Sequence, residues 1–202
     1  MPISPKGYGT LPFFSAKGKT KNQKLITLVL AAMFFALGYL LPYATGQIKE
    51  IGKMLCPMHL PVLLCGFVCG PVWGLAVGAV LPLLRSLTTS MPPLFPSALC
   101  MAFELAAYGL LAGIFRRALP KKKGFIYVSL VASMLLGRLV WGLAMFIFTG
   151  IAGTEFSFAA FIAGAFTGSI PGIIAQIVLI PPIVMIVERV WNNSSATAPA
   201  VQ

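Results

Sequence analysis

Six uninterrupted apolar runs dominate the chain, at roughly Leu25–Leu41, Met58–Gly70, Pro71–Leu87, Ser97–Phe115, Phe125–Thr149 and Phe158–Val187. A helix needs about 20 apolar residues to cross the hydrocarbon core of a bilayer, and a barrel strand needs an alternation that these runs lack. Composition agrees: 58% of the residues are hydrophobic and 9% are charged, against about 25% charged in a soluble domain. The expected fold is all-α, an integral membrane protein whose helices form one compact bundle.

Charge sets the number of spans and their orientation. A net charge of +11 would suit a nucleic-acid partner if the basic residues made a folded face. They fall instead in two clusters, Lys6–Lys24 and Arg116–Lys123, beside apolar runs. Loops on the cytoplasmic side are marked in this way, and no nucleic acid is expected. Residues 58–87 read either as one long helix or as two short ones, and Gly70 followed by Pro71 is a strong helix stop.

Two helices give six transmembrane spans with both termini cytoplasmic, and put eleven of the fifteen Lys and Arg residues inside. Lys49 and Lys53 then lie outside, and Arg85 and Arg138 lie within spans. One long helix would force the Arg116–Lys123 cluster outside, against the positive-inside tendency. The expected organisation is a cytoplasmic tail over 1–24, a six-helix membrane domain over 25–189 and a polar tail over 190–202. The last apolar run, with Pro171, Pro181 and Pro182, is too long for one straight span. It is expected to enter as a loop or short surface helix, or to tilt and kink. Scattered lysines ahead of Leu25, and no small-residue cleavage site after Leu41, favour a retained first span over a signal peptide.

Catalysis finds little support. Glu104 and His59 have no nucleophile, metal partner or second carboxylate to complete a mechanism, so the chain is not expected to be an enzyme. His59 has no Cys or His at ligand spacing, so neither a metal nor a cofactor is expected. Cys56, Cys65, Cys69 and Cys100 are expected as buried thiols. No P-loop is present, so any ATP-derived energy must come from another polypeptide.

Small residues recur at helical spacing: Gly66, Gly70, Gly74 and Gly78; Gly109 and Gly113; Gly164, Gly168 and Gly172. Such seams let helix backbones approach closely, and ordinary packing within the bundle is their first explanation. Ala32 and Ala36 make a smaller seam in the first span, suited to internal packing or to a partner's helix.

Charges within the apolar runs carry most of the functional information, because an arginine at bilayer depth costs about 2.5–3.5 kcal/mol on insertion scales. Arg85 shares a helical face with Leu81, Gly78 and Gly74, Arg138 with Trp141 and Gly142, and Glu104 with Tyr108. In the last run Ser169, Gly172 and Gln176 align. Two readings stay open: an Arg–Glu pair that locks helices together, with Arg85 reaching toward the interface, or a polar pocket with surplus positive charge facing an anionic ligand. The loop with Ile48, Ile51, Met54 and Leu55 is amphipathic enough to cover such a pocket, and "TTSMPPLFPS" would form a stiff facing rim.

The blocks "MHLPVLLCGFVCGPVWGLAVGAVLPLLRSL", "MPPLFPSALCMAFELAAYGLLAG" and "GAFTGSIPGIIAQIVLIPPIV", with the short spans around them, resemble the substrate-binding S component of an energy-coupling-factor (ECF) vitamin transporter over about Lys24–Arg189. The resemblance implies a six-helix protein of the bacterial plasma membrane that captures a micronutrient from the outer side under its outer loops. It also implies that the bound protein topples within the membrane, in a complex with an energy-coupling transmembrane subunit and two ATPase subunits. The alanine pair Ala32 and Ala36 would dock on that transmembrane subunit. Arg85, Arg138, Glu104, His59, Trp141 and Gln176 are then the candidate substrate-binding residues, with Arg85 neutralising a substrate carboxylate or phosphate and Trp141 stacking on a flat or apolar part. The positive surplus favours an anionic vitamin such as pantothenate, folate, niacin or biotin over cationic thiamine, with riboflavin still open; among these pantothenate or a similar small carboxylate is the expected substrate. A self-sufficient secondary transporter or channel, or a membrane scaffold, is the alternative; ion coupling would call for more intramembrane carboxylate than Glu104 alone.

Overall fold

The computed structural model describes residues 21–44, 55–120, 122–151, 157–165 and 167–197. In the regular elements among them, seven α-helices follow in order: α1 (Lys21–Ala44), α2 (His59–Cys69), α3 (Pro71–Thr89), α4 (Leu99–Ala118), α5 (Lys123–Ile151), α6 (Phe158–Ala165) and α7 (Ile170–Thr197). Five of them, α1, α3, α4, α5 and α7, are long and apolar enough to cross a membrane. With α2 they make the six-membered bundle. The tail before Lys21 and the Ile48, Ile51 and Met54 part of the first outer loop lie outside the described residues; Leu55 lies inside them and is exposed.

Helix α2 has eleven residues, a rise of about 16 Å, roughly half the hydrocarbon thickness. It needs no lipid-facing side, because every residue from Pro61 to Cys69 is buried, enclosed by α1, α3, α4 and α7. A helix that is apolar all round belongs at the centre of a bundle. Its end is fixed by Gly70, whose φ of 101° is a conformation that residues with a Cβ rarely adopt, and Pro71 then opens α3 at a position where its missing N–H is not needed. The break expected at Gly70-Pro71 is therefore the observed one.

The long helices bury one stripe and turn the rest outward. On α1 the buried positions are Thr27, Ala31, Phe34, Gly38 and Pro42, while Leu25, Val29, Met33, Leu37 and Leu40 are exposed. On α7 the stripe is Gly172, Gln176, Ile180 and Val184. Exposed leucine, valine and isoleucine on the outside of a helical bundle are what lipid contact requires. Buried hydroxyls bond within their own helices: Thr27 donates to the Gln23 carbonyl, Ser129 to Phe125, Ser133 to Ser129 and Thr149 to Met145.

The first two glycine seams are packing devices within the chain. A Cβ added at Gly66 would meet the Gly109 carbonyl oxygen at 2.4 Å, one at Gly78 the Leu105 carbonyl at 2.3 Å, and one at Gly113 the Pro71 nitrogen at 2.4 Å. Helices α2 and α3 thus lie backbone to backbone on α4. The third seam is different: Gly164 makes room for the Trp141 ring, and a turn at Thr167–Ser169 interrupts the helix between Gly164 and Gly172. That turn divides the last apolar run into the short helix α6 and the span α7. Helix α7 continues past Arg189 to Thr197, so the polar tail expected from residue 190 begins as helix.

Alternation of the spans puts the start of α1, the end of α4 with Arg116 and Arg117, the start of α5 and the end of α7 with Arg189 on one side of the bundle. There Arg116, expected in a cytoplasmic loop, is buried and donates from Nε and Nη2 to Glu188, tying α4 to α7.

Candidate functional site

At the opposite end, four helices bring polar side chains into the core. Glu104 comes from the second turn of α4, where Cys100, Glu104 and Tyr108 form a buried stripe. Arg138 comes from the middle of α5, below Ser133 and Met134 and above Gly142. His59 is the first residue of α2, and its backbone N–H donates to the Cys56 carbonyl at 3.0 Å. Gln176 lies one turn after Gly172 on α7.

Glu104 is the hub. Its Oε1 lies 2.8 Å from Arg138 Nη1 and 3.4 Å from His59 Nε2. All three side chains are nearly sealed, at 1%, 6% and 3% exposure for Glu104, Arg138 and His59. Arg138 also reaches the Cys56 sulfur, with Nη2 at 3.8 Å. Burial pushes the Cys56 thiol up from its ordinary range, while Arg138 and neighbouring Ser169 pull it the other way. The ring of Tyr108 meets His59 edge-on at 5.3 Å between centroids.

This cluster is under-bonded for its burial. Both ring nitrogens of His59, Oε1 of Glu104, Nε of Arg138, the Tyr108 hydroxyl and Oε1 of Gln176 are buried without a hydrogen bond of good geometry. Native cores leave few such atoms unsatisfied, so each of them calls for an explanation.

Of the six candidate residues, the structure gathers His59, Glu104 and Arg138 in direct contact and buries Gln176 at 2% exposure. Trp141 is half-buried and stacks on Phe161 of α6, with centroids 6.3 Å apart and rings 25° from parallel. Arg85 is buried, but its partners belong to α1: Nη1 donates to the Tyr39 carbonyl at 3.3 Å and the guanidinium sits 5.3 Å from the Tyr43 ring centroid. Arg85 and Arg138 thus have different partners within the chain. Arg85 ties the ends of α1 and α3 together, helped by the Tyr39 hydroxyl donating to Thr88 at 3.0 Å. Cys56 and Tyr108 join this cluster as neutral members that charge alone does not single out; the alignment of Tyr108 with Glu104, one turn away, is the signal for the second.

Ala32 and Ala36 are both exposed on α1, on the side away from Ala31 and Phe34. Among the described residues their seam is thus left open.

A bundle of apolar helices with five long enough to span a bilayer defines a multi-pass membrane protein. Residues 26–184 match the family described as ECF transporter, substrate-specific component. The chain belongs to that family, whose members are the substrate-binding subunits of ECF importers and work with an energy-coupling module. No curated protein and no solved structure matches the chain.

Proposed function

We propose that this subunit captures a small water-soluble vitamin or related micronutrient from the outer side of a bacterial plasma membrane. It delivers the molecule through a module of one energy-coupling transmembrane subunit and two ATPases. The observation that carries the substrate site is the sealed Glu104–Arg138–His59 cluster with its unbonded neighbours. Arg138 Nε is a donor, the two nitrogens of His59 offer one donor and one acceptor in the neutral ring, and Gln176 supplies an amide. A ligand matching that set carries an acceptor such as a carboxylate together with hydroxyl or amide groups, and pantothenate has all three. Because Glu104 cancels the charge of Arg138, the carboxylate is recognised through hydrogen bonds more than through a surplus of positive charge.

Trp141, already braced by Phe161, forms an aromatic wall for the apolar part of the ligand. Arg85 supports the site from outside by holding α1 against α3. Ala32 and Ala36 form the surface that meets the coupling subunit, since exposed small residues allow close approach of another helix in lipid. Native mass spectrometry of the purified protein tests the reading directly. A bound mass matching a vitamin, lost in Arg138→Met, is the expected result; an unliganded protein that takes up none of the vitamins offered overturns it.

A further inference from the structure

Phe161 of α6 and Trp141 of α5 are each seated by a glycine on the other's helix. An added Cβ at Gly142 would meet the Phe161 ring, with Cδ2 at 2.6 Å, and one at Gly164 would meet Cη2 of Trp141 at 2.8 Å. The two rings then stack on one another. Gly142 lies one turn from Arg138 on the buried face of α5, toward the end of the helix at Ile151. Phe161 therefore covers the polar cluster from that end. On the α4 side the same level is already closed, because the Cys100 thiol, one turn from Glu104, reaches the Met145 sulfur at 3.5 Å.

Helix α6 is lightly held. It has eight residues and packs chiefly on α5 and on the turn that follows it, with Ala159, Ile162 and Ala163 exposed. The turn reaches the cluster through Ser169. Its hydroxyl donates to the Gly164 carbonyl at 3.3 Å and lies within hydrogen-bonding reach of the Cys56 thiol, which Arg138 also contacts. An element with few buried contacts opens at a lower free energy than the bundle beneath it. We infer that α6 is a lid over the proposed substrate site, with Phe161 as its latch, and that the ligand passes between α5 and α6 to reach Arg138. The inference rests on the proposed site and adds its route of entry.

Labelling of the natural thiols by iodoacetamide, read peptide by peptide in a mass spectrometer, tests the lid without a ligand. Cys56 is the thiol beside Ser169, whereas Cys65 is fully buried within α2 and reports loosening of the whole bundle. Phe161→Ala is expected to speed the labelling of Cys56 about five- to ten-fold, the equivalent of one lost ring pair, with Cys65 unchanged. Gly142→Ala keeps the ring but fills its seat, and should act in the same direction. Equal Cys56 rates in wild type and both variants overturn the lid, as does Cys65 accelerating in step with Cys56. Stopped-flow binding of pantothenate supplies a second arm. Phe161→Ala should raise the association rate as well as the dissociation rate, because an open lid speeds passage both ways. Faster dissociation alone would make Phe161 a ligand contact and overturn its role as latch. Should wild type not bind pantothenate, the proposed substrate falls, while the labelling rates still decide the lid.

Discussion

Glu104 and Arg138 meet at 2.8 Å, carboxylate to guanidinium, across the contact between α4 and α5. Both are almost wholly buried, so neither charge is compensated by water. Removing one partner of such a pair leaves the other uncompensated and costs about 3–5 kcal/mol, whereas replacing both by apolar groups is often neutral. Glu104→Gln is therefore expected to lower the melting temperature in detergent sharply. The double variant Glu104→Leu with Arg138→Met should recover most of that loss while remaining unable to bind the ligand. Stability returning together with binding would show the pair to be structural alone.

Gly74 and Gly109 give a second expectation. A Cβ at Gly109 would come within 2.2 Å of the Gly74 carbonyl oxygen, and the reciprocal approach is 2.5 Å. Backbone cannot rotate aside as a side chain can, so Gly109→Ala must separate α3 from α4, at about 1–3 kcal/mol for overpacking. Because α4 also carries Glu104 and Tyr108, binding should weaken with it. Gly124→Ala is the control: nothing lies within 4 Å of its added Cβ, and on α5 it should be neutral or raise the melting temperature slightly, alanine being the better helix former by up to about 1 kcal/mol.

These seams were legible in the sequence because four-residue spacing survives any tertiary arrangement. So was the break at Gly70-Pro71, where both residues act locally, and so was the buried face of Gly74, Gly78, Leu81 and Arg85 on α3. Which charge meets which was not legible. Arg85 and Arg138 look alike as lone arginines in apolar runs, yet one is held by a carbonyl and a tyrosine ring of α1 and the other by Glu104. That difference depends on helix register and neighbours, which spacing along one helix does not contain. The complete burial of α2 was hidden for a related reason: side chains that suit lipid also suit a bundle core. Arg116 adjoins Arg117 and the lysines and so looks like a loop charge in the sequence, although it continues the buried face of Gly109 and Gly113.

Arg85→Met separates an anchoring role from ligand contact. It removes the hydrogen bond to the Tyr39 carbonyl and the cation–π contact with Tyr43, together about 1–3 kcal/mol. The expected outcome is a lower melting temperature with a ligand Kd within about three-fold of wild type. A Kd weakened a hundred-fold at unchanged stability would move Arg85 into the site.

The Arg116–Glu188 pair sits at the basic end, away from His59 and Glu104. Its arginine is 5% exposed but its glutamate side chain is 23% exposed, so water can reach one partner and screen the pair. Glu188→Gln should therefore cost less than Glu104→Gln, about 1–2 kcal/mol, between the surface and buried limits for ion pairs. Ligand affinity should not change. The exchange Arg116→Glu with Glu188→Arg keeps the pair and the net charge of that end, so it should restore the melting temperature lost in either single charge reversal. Failure of the exchange to restore it would mean that the pair does not tie α4 to α7 and that the charges merely follow the packing of each helix on its other neighbours.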